Sequence, residues 1–179
     1  MTKNKVFIAT SLDGFIADKA GQIDWLHELP NPQGDDMGYA EFMESVDALV
    51  MGRKTFETVL GFDMDWPYDK PVFVLSTSLT EIPQELEGKV FLKKGDLTEI
   101  TAEIHQLGYN HLYIDGGRTI QQFLEADMIH EMTLTTIPIL LGGGIPLFGN
   151  REKRLHFKCI GTRHCIAAVA QARYVRIKP

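Results

Sequence analysis

Two short stretches carry the residue types that grip an anion. In Gly52-Arg53-Lys54-Thr55 one glycine is followed by two cations and a hydroxyl, and in Gly116-Gly117-Arg118-Thr119 two glycines are followed by one cation and a hydroxyl. Each follows a run suited to a buried strand, Ala48 to Met51 and His111 to Asp115, and each leads into helical spacing. A helix start carries unpaired N–H groups at the positive end of the helix dipole, which makes such a corner a seat for phosphate. Glycine lets the backbone come close, and Arg and Lys add fixed charge. The spacing is neither that of a Walker loop nor that of a GxGxxG fingerprint, and ordinary strand-to-helix turns with solvated basic residues are the alternative. Two such corners at the carboxyl ends of strands in one sheet are where an open α/β sheet binds a nucleotide.

Four further residues stand at positions where chemistry is expected. Asp36 precedes Tyr39, Phe42, Met43 and Val46, an amphipathic series, so that at the helix start it projects toward the apolar side. A carboxylate there has a raised pKa and holds a polar substrate, unless it simply caps the helix. Trp25 lies in a long loop between Ser11 and Leu26 that carries two glycine turns. Such a loop is either a mobile lid over the site or a surface loop pinned by its tryptophan. Ser76 and Thr77 end the strand-like Pro71-Val72-Phe73-Val74-Leu75, where hydroxyls bond a sugar or phosphate or make a turn.

The elements that must position these residues follow from the hydrophobic pattern. Val6 to Thr10, Ala48 to Met51, Pro71 to Leu75, Val90 to Lys93 and His111 to Asp115 read as buried strands, with a helix capped by Asp96 and stopped by Gly108. From Met128 to Ile137 the chain alternates, Pro138 to Phe148 is a glycine-rich loop, and Leu155 to His164 with Val169 to Ile177 make an antiparallel hairpin joined near Ile166 to Ala168. The expected fold is α/β, a mixed, mainly parallel sheet of about eight strands with roughly four flanking helices, in a single domain over residues 1–179.

The net charge of -6 over 179 residues argues against a general nucleic-acid binder, so an anionic small ligand needs a local basic site. No stretch resembles a signal peptide or a membrane span. Cys159 and Cys165 are too few for a disulfide framework or a four-ligand zinc site and are expected as reduced, buried thiols in a cytoplasmic protein.

Read together, SLDGFIA, GQIDWL, MGRKTFE, VFVLS, YIDGGRTI and TLTTIPILLGGGIPLF occur in the order seen in the dihydrofolate reductase superfamily. Across nearly its whole length the chain most resembles the single-domain branch related to the reductase domain of the riboflavin-pathway bifunctional deaminase-reductase. The resemblance implies an NADPH-binding reductase. It places Gly52, Arg53, Lys54 and Thr55 at the adenosine 2'-phosphate and pyrophosphate, Ser76 and Thr77 by the adenosine ribose, Gly116, Gly117, Arg118 and Thr119 at the pyrophosphate, and Ala9 and Ile16 beside the nicotinamide. On the substrate side it implies that Asp36 anchors a pterin or ribosylaminopyrimidine ring and that Trp25 and its loop close over it. Family members also form homodimers through C-terminal strands, here the segments Ile137 to Leu141 and Val169 to Ile177.

Overall fold

A computed structural model gives the structure of the protein over residues 1–166 and 169–178. The elements in chain order are β1 (Lys3–Ser11), β2 (Phe15–Ala17), α1 (Tyr39–Glu44), β3 (Ala48–Gly52), α2 (Arg53–Leu60), β4 (Val72–Leu75) and β5 (Val90–Lys93). They continue with α3 (Leu97–Gln106), β6 (His111–Asp115), α4 (Gly117–Glu125), β7 (Glu131–Ile137), β8 (Ile145–Pro146), β9 (His156–Cys165) and β10 (Val169–Ile177). Eight strands form one sheet in the order β5-β4-β3-β6-β1-β7-β10-β9, and β2 pairs with β8 in a small second sheet. The first six strands in that order run parallel, while β10 is antiparallel to both β7 and β9. This is the mixed, mainly parallel sheet with four helices that the hydrophobic pattern predicts. The hairpin joint expected near Ile166 to Ala168 falls partly on Ala167 and Ala168, which lie outside the described residues.

The central strands are buried on both faces because helices cover both. On one face α3 and α4 bring Ile100, Ile104, Ile120, Phe123 and Leu124 against Val6, Val50, Leu112 and Ile114. On the other, α1 and α2 bring Phe42, Met43 and Phe56 against Leu49, Met51, Val72, Val74 and Tyr113. Phe56, Phe73 and Phe123 are fully buried, each worth roughly 2–3 kcal/mol of transfer free energy. Asp96 caps α3 as expected, its side chain accepting from Thr98 N and Glu99 N.

Register is what aligns the future site. Asp47 Oδ2 accepts from Asn110 N at 2.8 Å and His111 N at 2.7 Å, which ties the foot of β6 to the foot of β3. From there Ala48 lies opposite Leu112 and Met51 opposite Asp115. Gly52 and Gly116, the next residues along, therefore leave the sheet side by side.

One expectation about the C-terminal half is corrected. Cys165 is buried but Cys159 is exposed, because β9 is an edge strand with little packed on it. In the segments named for a dimer surface, which core packing explains as well, Ile137 and Val169 are core residues packed with Trp25, while Leu140 stands out, 69% exposed.

Candidate functional site

The two basic corners interlock. A Cβ built on Gly52 would come 3.0 Å from Thr119 Oγ1, and one built on Gly116 would come 2.1 Å from Thr55 Oγ1. Each corner's threonine thus fills the space that the other corner's glycine leaves open. Gly116 also has φ +85°, a conformation open to glycine at little cost. Gly117 is closed in from a third side: its Cβ would lie 2.5 Å from Ile16 Cδ1, which sets β2 against the start of α4.

The starts of α2 and α4 differ from that of α3 in a way that suits an anion. Neither has a side-chain cap nor an acid in its first turn, whereas α3 has both. Their first N–H groups are left for another acceptor, beside Arg53, Lys54 and Arg118. Arg53 Nη1 is held 2.8 Å from Glu57 Oε1, an exposed pair worth about 0.5 kcal/mol or less that a phosphate easily outbids. Ser76 and Thr77 lie at the end of β4, next to β3. Ser76 Oγ already accepts from Ser78 N at 3.2 Å and Leu79 N at 2.8 Å, as a turn residue does, while Thr77 is exposed. Ala9, on β1, packs beside Trp25.

The loop from Ser11 to Leu26 is bonded down. Ser11 Oγ donates to Asp13 Oδ1 at 2.6 Å and accepts from Phe15 N at 2.9 Å. Asp13 in turn accepts from Leu141 N at 3.2 Å and Gly142 N at 2.8 Å. Those bonds hold the Asp13 carboxyl below its usual range, the Ser11 hydroxyl contributing most. Trp25 is 4% exposed, wedged against Ile137, Cys165 and Val169. The expectation of a moving cover gives way to a loop pinned by its tryptophan, because lifting the ring would open the core beneath it.

Asp36 is corrected as well. It is exposed, with Oδ1 accepting from Gly38 N and Oδ2 from Ala40 N, both at 2.8 Å. These bonds hold its pKa down, the Ala40 amide most strongly, where burial on the apolar side was expected to raise it. One oxygen thus bonds an amide in the first turn of α1 and the other the amide just before it. The segment is fixed from the other side by buried Gln171, whose Nε2 donates to Met37 O at 3.0 Å and Thr135 Oγ1 at 2.8 Å, and by Arg163, which donates to the same carbonyl and to Gln171 Oε1.

The acid at the corners themselves is Asp115, which sequence reasoning passed over as the last residue of a strand. It ends β6 opposite Met51 of β3 and directly before Gly116, its Oδ1 accepting from Gly116 N at 2.8 Å. Burial pushes its pKa up to about 6, against the opposing pull of the Gly116 amide and the Tyr113 hydroxyl. Three phenols share its surroundings. Burial pushes Tyr39 to about 12 and raises Tyr68 and Tyr113, and the nearby Asp115 charge adds to each shift. Trp66 meets Tyr68 edge to face at 5.2 Å. The one sequence signal was a carboxylate closing an apolar strand directly before paired glycines.

This strand order, with two level, uncapped, basic helix starts at its carboxyl rim, defines a dihydrofolate reductase-like α/β protein. The chain belongs to the RibD C-terminal domain family, which matches residues 4–170. It is 36% identical over 176 residues to the uncharacterized protein YwjB of Bacillus subtilis (strain 168), covering 97% of this chain and 98% of the relative. Among solved structures, a putative riboflavin biosynthesis protein from Shewanella sp. PV-4 shares 56% identity and a TM-score of 0.95, over 99% of this chain and 100% of that one. A dihydrofolate reductase from Enterococcus faecalis complexed with NADP(H) has the same fold, with a TM-score of 0.69 at 16% identity over 98% of this chain and 97% of that one.

Proposed function

We propose that the protein is an NADPH-dependent reductase that delivers a hydride to a small heterocyclic substrate of the ribosylaminopyrimidine kind, as in riboflavin biosynthesis. The observation that carries the reading is the interlocked pair of uncapped, basic helix starts on neighbouring parallel strands. NADPH would supply the hydride from its nicotinamide. In this reading Arg53 and Lys54 take the 2'-phosphate, and the α2 and α4 N–H groups with Thr55, Arg118 and Thr119 take the pyrophosphate. Gly52, Gly116 and Gly117 allow the close approach, Ser76 and Thr77 border the adenosine ribose, and Ala9 and Ile16 flank the nicotinamide. Asp115 holds the ring's N–H edge, and the phenols of Tyr39, Tyr68 and Tyr113 stay protonated around it. A dihydrofolate reductase reading needs a free carboxylate on α1, and Asp36 has both oxygens committed to backbone amides. That favours the pyrimidine over the pterin. A cytoplasmic location belongs to the same proposal, and no described helix is long and apolar enough to cross a membrane.

The test is cofactor discrimination. By titration calorimetry the protein should bind NADPH more tightly than NADH, and Arg53→Ala should cost NADPH roughly tenfold to a hundredfold, about 1.4–2.8 kcal/mol, while changing NADH little. Equal losses for the two would show that Arg53 does not read the extra phosphate.

Assembly as a homodimer through the C-terminal strands is part of the proposal. What supports it is β9, exposed along most of its length with Ile160 at 50%. Light scattering should give twice the chain mass, falling to the single-chain mass in Ile160→Glu. An unchanged mass in that variant would place the contact elsewhere.

A further inference from the structure

We propose that Arg163 and Gln171 are positioning residues of the reductase site, holding the start of α1 over the sheet row that ends at Ala9; the inference rests on the reductase reading above. Register sets four residues in that row. Arg163 of β9 stands opposite Gln171 of β10, Gln171 opposite Thr135 of β7, and Thr135 opposite Ala9 of β1. Gln171 and Thr135 are buried, so their polar groups need partners inside the protein. They find them along the row and above it. Gln171 Oε1 accepts from Arg163 Nε at 2.7 Å, and Gln171 Nε2 donates to Thr135 Oγ1 at 2.8 Å and to Met37 O at 3.0 Å. Arg163 Nη2 donates to the same carbonyl. Met37 O, two residues before α1, thus has both lone pairs taken by side chains from β9 and β10.

The backbone held in this way would not keep its shape unaided. Met37 has φ +55°, a left-handed conformation that costs a residue with a side chain roughly 1–2 kcal/mol, and Gly38 follows at φ +79°. A Cβ on Gly38 would run into Arg163 Nη2, so the guanidinium rests against the glycine. Backbone of this kind persists only where its surroundings fix it.

What the bonds fix is the height of α1 at the carboxyl end of β1. On the α1 face of β1, Phe7 fills the space beneath the helix, its ring meeting Tyr39 at 5.7 Å and Phe42 at 4.9 Å. The next residue on that face is Ala9, small and half-buried, in the same cluster as Met37 and Trp25. Room for a ring therefore opens at Ala9, where the reading above puts the nicotinamide. A shift of about 1 Å in the start of α1 would tilt the substrate away from the hydride donor, and misplacement on that scale costs up to about a hundredfold in rate.

The experiment is a single turnover in stopped flow, with excess NADPH-loaded protein reducing 5-amino-6-(5-phosphoribosylamino)uracil or dihydrofolate, whichever the natural protein accepts. Arg163→Ala, on an exposed edge strand, should lower the rate constant about tenfold, while the amplitude and the calorimetric affinity for NADPH stay within about twofold. Gln171→Met should show the same pattern, and Arg163→Lys, which keeps the charge and one donor, should recover part of the rate. A role in stability alone would lower the amplitude and leave the rate constant unchanged; that result overturns the inference and leaves the reductase reading standing. Loss of NADPH affinity in step with the rate also overturns it, since the effect would then lie at the cofactor corners. No turnover of either substrate by the natural protein overturns the reductase reading and the inference together.

Discussion

Asp115→Asn is expected to remove turnover and, at the same time, to make the unliganded protein more stable. On the proposed reductase reading, the loss of activity follows from the carboxylate's place at the end of β6 directly before the second basic corner: an amide keeps the shape and gives up the charge that would hold a donor edge, and about a hundredfold in kcat/KM is the scale for a positioned ionisable group. The gain in stability follows from the pKa, which is pushed up to about 6 from the ordinary 3.8. A folded pKa above the unfolded one means that folding favours the protonated acid. That contribution is intact below pH 3.8 and is lost as pH rises through about 6. Above neutrality the ionised group costs the fold up to about 3 kcal/mol, which the neutral amide avoids. Urea unfolding should therefore show the variant ahead of the natural protein at pH 8 and nearly level with it at pH 4. The rate should mirror this, with kcat/KM of the natural protein rising through about pH 6 to a plateau. A rate that instead falls above that pH would identify Asp115 as a proton donor and remove it as the anchor.

Gly116→Ala carries the second large effect. The added Cβ has φ +85° to accommodate and Thr55 Oγ1 only 2.1 Å away. Backbone strain of this kind costs roughly 1–3 kcal/mol, and a chain of this length loses about 2–4 °C in Tm per kcal/mol. A fall of about 6 °C or more is expected by calorimetry, together with a loss of NADPH binding because the start of α4 must shift away from α2. Adding Thr55→Ala removes the clashing oxygen and should return part of the stability. It should not return the binding, since the Thr55 hydroxyl is gone and alanine still resists the positive φ that the natural corner adopts. An unshifted Tm in Gly116→Ala would mean that the two corners are not in contact.

What could be read from the sequence was local and periodic. The run Ala48-Leu49-Val50-Met51 before one glycine, and His111 to Asp115 before two, marked both strand-to-helix corners and put β5, β6 and β10 within a residue of where they lie. The interlock of Thr55 with Gly116 and of Thr119 with Gly52 was not legible, because it depends on β3 and β6 being neighbours despite a separation of two other strands and two helices along the chain. Asp36 was misplaced for a related reason. Helical spacing predicts which way a side chain points only once the helix has begun, and α1 begins at Tyr39, after Met37 and Gly38 have turned through positive φ. Asp115 had no partner in sequence to flag it; its raised pKa comes from burial, which only the folded packing of neighbouring elements creates.

The position of β1 has a consequence for how the chain comes into being. β1 is made well before both of its neighbours, β6 and β7, pairing with residues 111–113 on one side and 131–137 on the other. Its apolar side chains can find no permanent neighbours until most of the polypeptide has left the ribosome. The growing chain must therefore carry an unpaired apolar strand until β6 and β7 are made, so its yield in a cell should depend on chaperone supply more steeply than its final stability would suggest.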